Sequence, residues 1–177
     1  LGFGHSLIKR LVERLKDQFR RLNTFATLSP IPGFGSWLGK NAIAMLAKLS
    51  DKERSVLGRD IGCSPPTAAQ LLSAAESAVT LPDRSPVRRL LMQCAANYLG
   101  QVLNEGKPVD PVARFHLGNG ARIERINWAG DPSPKGLKQS YGLMVNYLYD
   151  LKRLDKHRAL LAQGRLPVSS AIEELFF

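Results

Sequence analysis

The sequence has 177 residues, with 25 Lys+Arg against 15 Asp+Glu and a net charge of +10. Apolar residues supply 44% and charged residues 23%, a balance that excludes wholesale disorder, and no apolar run reaches the ~18–20 residues that cross a bilayer. Two cysteines, Cys63 and Cys94, are too few for a disulfide framework or a tetrahedral metal site.

The chain opens on Gly2-Phe3-Gly4-His5, directly ahead of Leu7, Ile8, Leu11, Val12, Leu15 and Phe19 at helical spacing. Charged residues fill the gaps, so an amphipathic helix is predicted. A glycine turn normally follows a strand, so the upstream part of the domain is expected to be absent from this chain. Thr24 to Leu28 predicts a short strand, stopped by Ser29-Pro30-Ile31-Pro32-Gly33 because two prolines cannot continue a central ladder. Trp37 to Leu49 predicts a second helix. Residues 51–104 look helical, with breakers at Gly62, Pro65-Pro66, Pro82 and Pro86. Ser64-Pro65-Pro66-Thr67 leads into a helix through Ala78, and Ser85 caps another, with Pro86 at its first position, running to about Leu99. Ala113–Leu117 and Arg122–Trp128 flank Gly118-Asn119-Gly120-Ala121 and predict a β-hairpin. Asp131 to Gly136 is a loop, Leu137 to Leu154 a helix, and the tail from Pro167 weakly helical. No internal repeat or low-complexity tract is present.

The positive balance has two readings: a basic surface that confers solubility, or an anionic partner such as nucleic acid, a membrane surface or a phosphorylated small molecule. The basic pairs Lys9/Arg10, Arg20/Arg21, Arg88/Arg89 and Lys152/Arg153 are scattered, and no run of five or six like charges suggests a nucleic-acid arm. Gly2-x-Gly4 before a helix is a candidate phosphate cradle, because glycine lets backbone approach a ligand and free N–H groups at a helix start favour anions. A plain strand-to-helix turn is the alternative, and no Gly-Lys-Ser/Thr ending makes it a P-loop. Ser29, at a strand end before a stiff turn, is placed to face a cleft or simply to make the turn. His116 could act as acid or base near neutral pH, or be an ordinary strand histidine. No pair among His5, His116 and His157 has zinc-ligand spacing. Tyr141, Tyr147 and Tyr149, with Asn146, decorate the late helix and read first as packing; one phenol could reach a cleft.

Several blocks resemble the malonyl-CoA decarboxylase family in the same order along nearly the whole chain. They are Gly2 to Arg10, Thr27-Leu28-Ser29-Pro30-Ile31-Pro32-Gly33-Phe34, Asp110 to Ala121, Arg125-Ile126-Asn127-Trp128 and Gly142 to Tyr149. The resemblance implies an α+β fold: the C-terminal part of an acetyltransferase-like mixed sheet flanked by helices, N-terminally truncated. It implies a partial catalytic core over 1–50, a helical insertion over 51–104 and the rest of the core over 105–177. The implied reaction is decarboxylation of malonyl-CoA to acetyl-CoA and CO2 in fatty-acid and malonate metabolism, by enolate stabilisation and protonation. It places the catalytic serine and histidine on Ser29 and His116, a cleft tyrosine on Tyr149, and the pyrophosphate-binding turn on Leu1, Gly2, Phe3, Gly4 and His5. No metal or organic cofactor is implied, the CoA thioester being the substrate. A cytoplasmic homo-oligomer, when full length, is expected, with neither nucleic acid nor membrane as partner. A CoA-dependent N-acetyltransferase of the same fold and an inactive truncated fragment are the alternatives.

Overall fold

The computed structural model describes the backbone of residues 3–22 and 24–177, and side chains throughout these except residues 3–6 and Lys9. The first helix, α1 (Phe3–Gln18), buries Val12 and rests Ile8 on the core while Leu7 and Leu11 stay exposed. Strand β1 (Phe25–Pro30) runs two residues further than the prolines suggested, through Ser29 and Pro30. Pro30 is tolerated as the last residue of β1, an edge strand among the described residues. Helix α2 (Phe34–Ala47) buries Phe34, Leu38, Ala42, Met45 and Leu46, the helical repeat of one apolar stripe.

Residues 51–101 are mainly helical, as expected, though the stretch ends in a short strand at 103–104. Helix α3 (Asp51–Asp60) starts in a reciprocal Ser50/Glu53 capping box and α4 (Ala68–Glu76) in a Thr67/Gln70 box. Helix α5 (Pro86–Gln101) begins at the predicted Ser85 cap with Pro86 in its first turn. It is buried along most of its length, and its Leu90, Leu91, Cys94, Tyr98 and Leu99 join the same apolar cluster as Ile31, Phe34 and Tyr147. Cys63 and Cys94 remain separate thiols; burial pushes the Cys94 thiol up to about 12.

Two expectations fail in the last third. The predicted hairpin is a helix and a strand. After the two-residue strands β2 (Leu103–Asn104) and β3 (Lys107–Pro108), residues 111–118 form α6 (Pro111–Gly118). Asp110 accepts hydrogen bonds from Val112 N at 2.9 Å and Ala113 N at 3.0 Å, and Pro111 sits in the first turn. That cap-and-proline start overrides the strand propensity of the Phe-His-Leu run. Gly120, with φ +89°, then turns the chain into β4 (Arg122–Asn127) rather than closing a hairpin. The long late helix also splits. Helix α7 (Pro134–Ser140) ends where Tyr141 and Gly142 both take positive φ, 53° and 81°. Residues 144–149 then form β5 (Met144–Tyr149), whose Val145, Tyr147 and Tyr149 alternate inward. Helices α8 (Leu154–Ala162) and α9 (Ser170–Glu173) complete the chain.

The three long strands make one antiparallel sheet in the order β1–β5–β4. A bulge between Ile123 and Arg125 lets Ile123 and Ile126, three residues apart, both oppose inward residues of β5, Tyr147 and Val145. Helices α5, α6 and α9 lie against β4, and α7 meets β1. The β1–β5 register sets Ser29 opposite Val145, Thr27 opposite Tyr147 and Phe25 opposite Tyr149. All six therefore share one face of the sheet, the face that carries the site.

Candidate active site

Ser29 and His116, 87 positions apart, meet across this face. Ser29 Oγ lies 3.3 Å from His116 Nε2, and the residues are 5% and 9% exposed. The other ring nitrogen, Nδ1, is 2.6 Å from the Tyr149 hydroxyl. Ser29 Oγ donates in turn to Thr27 Oγ1 at 2.9 Å. Burial pushes the Tyr149 phenol above its ordinary range, so it keeps its proton and is the natural donor to Nδ1. One tautomer satisfies the whole line: Tyr149 O–H donates to Nδ1, Nε2–H donates to Ser29 Oγ, and Ser29 O–H donates to Thr27.

The imidazole ring is fixed by more than its nitrogens. It stacks on Tyr147 at 4.4 Å with a 20° tilt and meets Tyr149 edge-on at 5.9 Å. Desolvation among these rings lowers the His116 pKa from 6.5 to about 4, so the resting side chain is neutral near pH 7. The strand expected over Ala113–Leu117 would set His116 on the face opposite Phe115 and Leu117. On α6, Leu117 and His116 both turn inward and Phe115 is exposed. Tyr141 stands apart from the line, edge-on to Phe34 at 6.1 Å. His157 is held elsewhere by a 2.9 Å contact between Nδ1 and the Gly120 carbonyl oxygen.

Thr27 and Tyr147, which contact Ser29 and His116, and Asp110, which caps the helix bearing His116, are not singled out by any motif in the sequence. Thr27 had a usable signal, since it lies two positions before Ser29 in a predicted strand and so on the same face. Tyr147 and Tyr149 share a period of two, which a strand reading of 144–149 makes visible. Of the proposed glycine turn, Leu1 and Gly2 lie outside the described residues, and Phe3, Gly4 and His5 are the opening residues of α1 itself.

A cavity of about 310 Å³ adjoins Tyr149 and is lined by Lys16, Phe25, Asp150, Leu151 and Lys152. The larger cleft, about 720 Å³, lies between α3 and the start of α5 and touches none of Ser29, His116 or Tyr149. Among the described residues no group of three or more His, Cys, Asp and Glu side chains is placed to hold a metal ion. Nor is any helix among them long and apolar enough to cross a membrane.

A small antiparallel sheet flanked by helices, with a buried hydroxyl–imidazole–phenol line on one face, defines an α+β protein with a candidate serine–histidine site, in which neither cysteine takes part. The chain belongs to the malonyl-CoA decarboxylase family: residues 1–176 match its C-terminal domain. It is similar to mitochondrial malonyl-CoA decarboxylase of Rattus norvegicus, 40% identical over 161 residues that cover 84% of this chain and 32% of that protein. The protein of the same description from Anser anser anser is 36% identical over 160 residues, covering 84% of this chain and 31% of that one. Among solved structures, malonyl-CoA decarboxylase from Cupriavidus metallidurans aligns with a TM-score of 0.86 and 41% identity, over 99% of this chain and 44% of that chain. The enzyme from Rhodopseudomonas palustris aligns at 0.75 and 37%, over 100% and 38%. The chain thus spans about a third of the length of these curated relatives.

Proposed function

We propose that this chain carries the catalytic site of a malonyl-CoA decarboxylase, releasing CO2 from malonyl-CoA and protonating the resulting enolate to acetyl-CoA, with Ser29, His116 and Tyr149 as its working residues. The observation that carries the reading is the continuous line from Tyr149 through His116 to Ser29. Its support is that one ionisable ring is paired on both nitrogens, with the Tyr149 phenol on one side and the buried Ser29 hydroxyl on the other.

Loss of CO2 leaves an electron pair on the α-carbon, delocalised onto the thioester oxygen. The barrier falls when fixed donors face that oxygen as charge develops, and when the carboxylate leaves water for a drier pocket. Ser29 Oγ is suited to orient the malonyl carboxylate or to take a proton from the pair. His116 is the proton donor to the enolate carbon. Its depressed pKa of about 4 makes it a poor acid in the empty site, which corrects the expectation of an imidazole near 6.5. A malonate carboxylate and a developing enolate beside the ring favour its charged form and raise that pKa when substrate is bound. The proton is thereby supplied when it is needed, and Tyr149 keeps Nδ1 paired throughout.

The reaction so written needs no metal or organic cofactor, and CoA enters as part of the substrate. Lys16 and Lys152 beside the 310 Å³ cavity offer charge to its phosphates. The glycine opening, Leu1 to His5, remains the proposed pyrophosphate contact. The division into core residues 1–50, a helical insertion 51–104 and core residues 105–177 is kept as part of this reading. So are a homo-oligomer when full length, a cytoplasmic setting, and no nucleic-acid or membrane partner. Malonyl-CoA turnover, followed as acetyl-CoA and CO2, is the test. Ser29→Ala and His116→Ala should each lower kcat by roughly 10²–10⁴-fold with the fold intact; unchanged turnover in either would remove that residue from the mechanism.

A further inference from the structure

At the start of the helix that carries His116, one carboxylate gathers three elements. Asp110 is 1% exposed. Its Oδ1 accepts from the Val112 and Ala113 amides and so fixes the first turn of α6, the helix that carries His116 six residues on. Its Oδ2 faces the other way, accepting from the Tyr98 hydroxyl of α5 at 3.3 Å and from the Gly33 amide at 3.5 Å. Gly33 lies four residues after Ser29 and leads into α2. The approach is close enough that a Cβ on Gly33 would collide with the Tyr98 hydroxyl, so only glycine brings this backbone to the carboxylate.

We propose that Asp110 is a positioning residue for the serine–histidine pair: its two oxygens tie the segment after Ser29 to the helix bearing His116 and thereby set their separation. This rests on the reading of Ser29 and His116 as the working pair. A carboxylate that served only as a helix cap would need one oxygen; here the second has donors of its own, from the other half of the site. The 3.3 Å between Ser29 Oγ and His116 Nε2 spans two segments distant in sequence, and this double contact joins them on a second path besides the sheet.

Asp110→Asn separates the roles, because asparagine caps helices as well as aspartate does. Its Oδ1 keeps the Val112 and Ala113 bonds, while an amide nitrogen replaces the oxygen that accepts from Gly33 and Tyr98. The variant is expected to keep its circular dichroism. The His116 ring, followed by NMR, should titrate at a higher pH than in the parent as the helix shifts and the ring gains water. Malonyl-CoA kcat should fall roughly 10–100-fold with KM little changed, the size expected from a misplacement on the order of 1 Å. An Asp110→Asn protein with parental His116 titration and parental kcat overturns the proposal. If the parent itself shows no turnover, the proposed reaction fails for this chain, and the His116 titration alone decides the positioning role. Should Asp110→Asn not fold, Tyr98→Phe takes the decision, since it leaves carboxylate and cap in place. A titration shift in the same direction supports the link, and an unmoved titration overturns it.

Discussion

His116 illustrates how a side chain's surroundings change what its chemistry can be. Burial against Tyr147 and Tyr149 lowers its pKa to about 4, below the 6.5 of the free side chain. Between these values the unfolded chain binds a proton that the folded chain refuses, so stability rises with pH across this window. Urea midpoints measured from pH 7.5 to 4 should fall more steeply for the parent than for His116→Gln. Asp110, whose carboxyl burial raises, contributes the opposite slope just above its ordinary range, and it does so in both proteins, so the difference isolates the histidine. Parallel curves would show that the ring is not desolvated as its packing indicates. Its neighbour offers a second measurement. The Tyr147 hydroxyl is buried with no hydrogen-bond partner among the described residues, and an unsatisfied buried group costs about 1–3 kcal/mol. Tyr147→Phe keeps the ring under His116 and removes the orphan, so it should raise the unfolding free energy by about 1 kcal/mol; a loss of stability would mean that the hydroxyl has a partner in solution.

At the scale of elements, the first two-thirds of the chain follow local rules. The helix carrying the Leu7–Leu15 repeat (though Leu7 and Leu11 stay exposed), the Ser85-Pro86 start and the breakers between 51 and 104 all appear where the residues place them. The misread segments are those around the site. Ala113–Leu117 has strand-like residues, yet Asp110-Pro111 is the same cap-and-proline signature that located α5, and it decides for helix. In 137–154, a 3.6 and a 2.0 periodicity overlap over too few residues to separate, and only the positive φ of Tyr141 and Gly142 marks the change. Ser29, His116 and Tyr149 are candidates through the family blocks alone, whereas their distances depend on long-range pairing that no local pattern holds. Gly120 is the hinge of that misreading. Its φ is +89°, and a Cβ there would lie 2.7 Å from the Leu154 carbonyl oxygen and 2.9 Å from Leu154 Cα. Gly120→Ala should cost roughly 1–3 kcal/mol, the usual range for strained backbone, read as a lower thermal midpoint. A midpoint equal to the parent's would mean that the turn between α6 and β4 relaxes freely.

For the molecule as a whole, the net charge of +10 is the property left open by the sequence, and the proposed substrate gives it a physical role. Malonyl-CoA carries a pyrophosphate, a 3′-phosphate and a free carboxylate, so a positively charged chain attracts it before any specific contact forms. Ion pairs among the described residues engage Arg88, Arg122, Arg153 and Arg158, whereas Lys16 and Lys152 face the cavity beside Tyr149. Two contributions should then be separable. Raising ionic strength from about 0.1 M to 1 M shortens the screening length from ~10 Å to ~3 Å, so it removes the diffuse attraction and leaves close contacts. Isothermal titration of malonyl-CoA into His116→Ala, which should bind without turning over, is expected to show affinity falling about tenfold over that range. Lys16→Glu with Lys152→Glu should lower the affinity further at low salt and flatten the salt dependence, while Lys40→Glu, on α2 away from this cavity, should act only through net charge. Equal effects from both would assign the attraction to the total charge alone. Affinity independent of salt would detach the basic composition from CoA recognition, and return it to the surface as a matter of solubility.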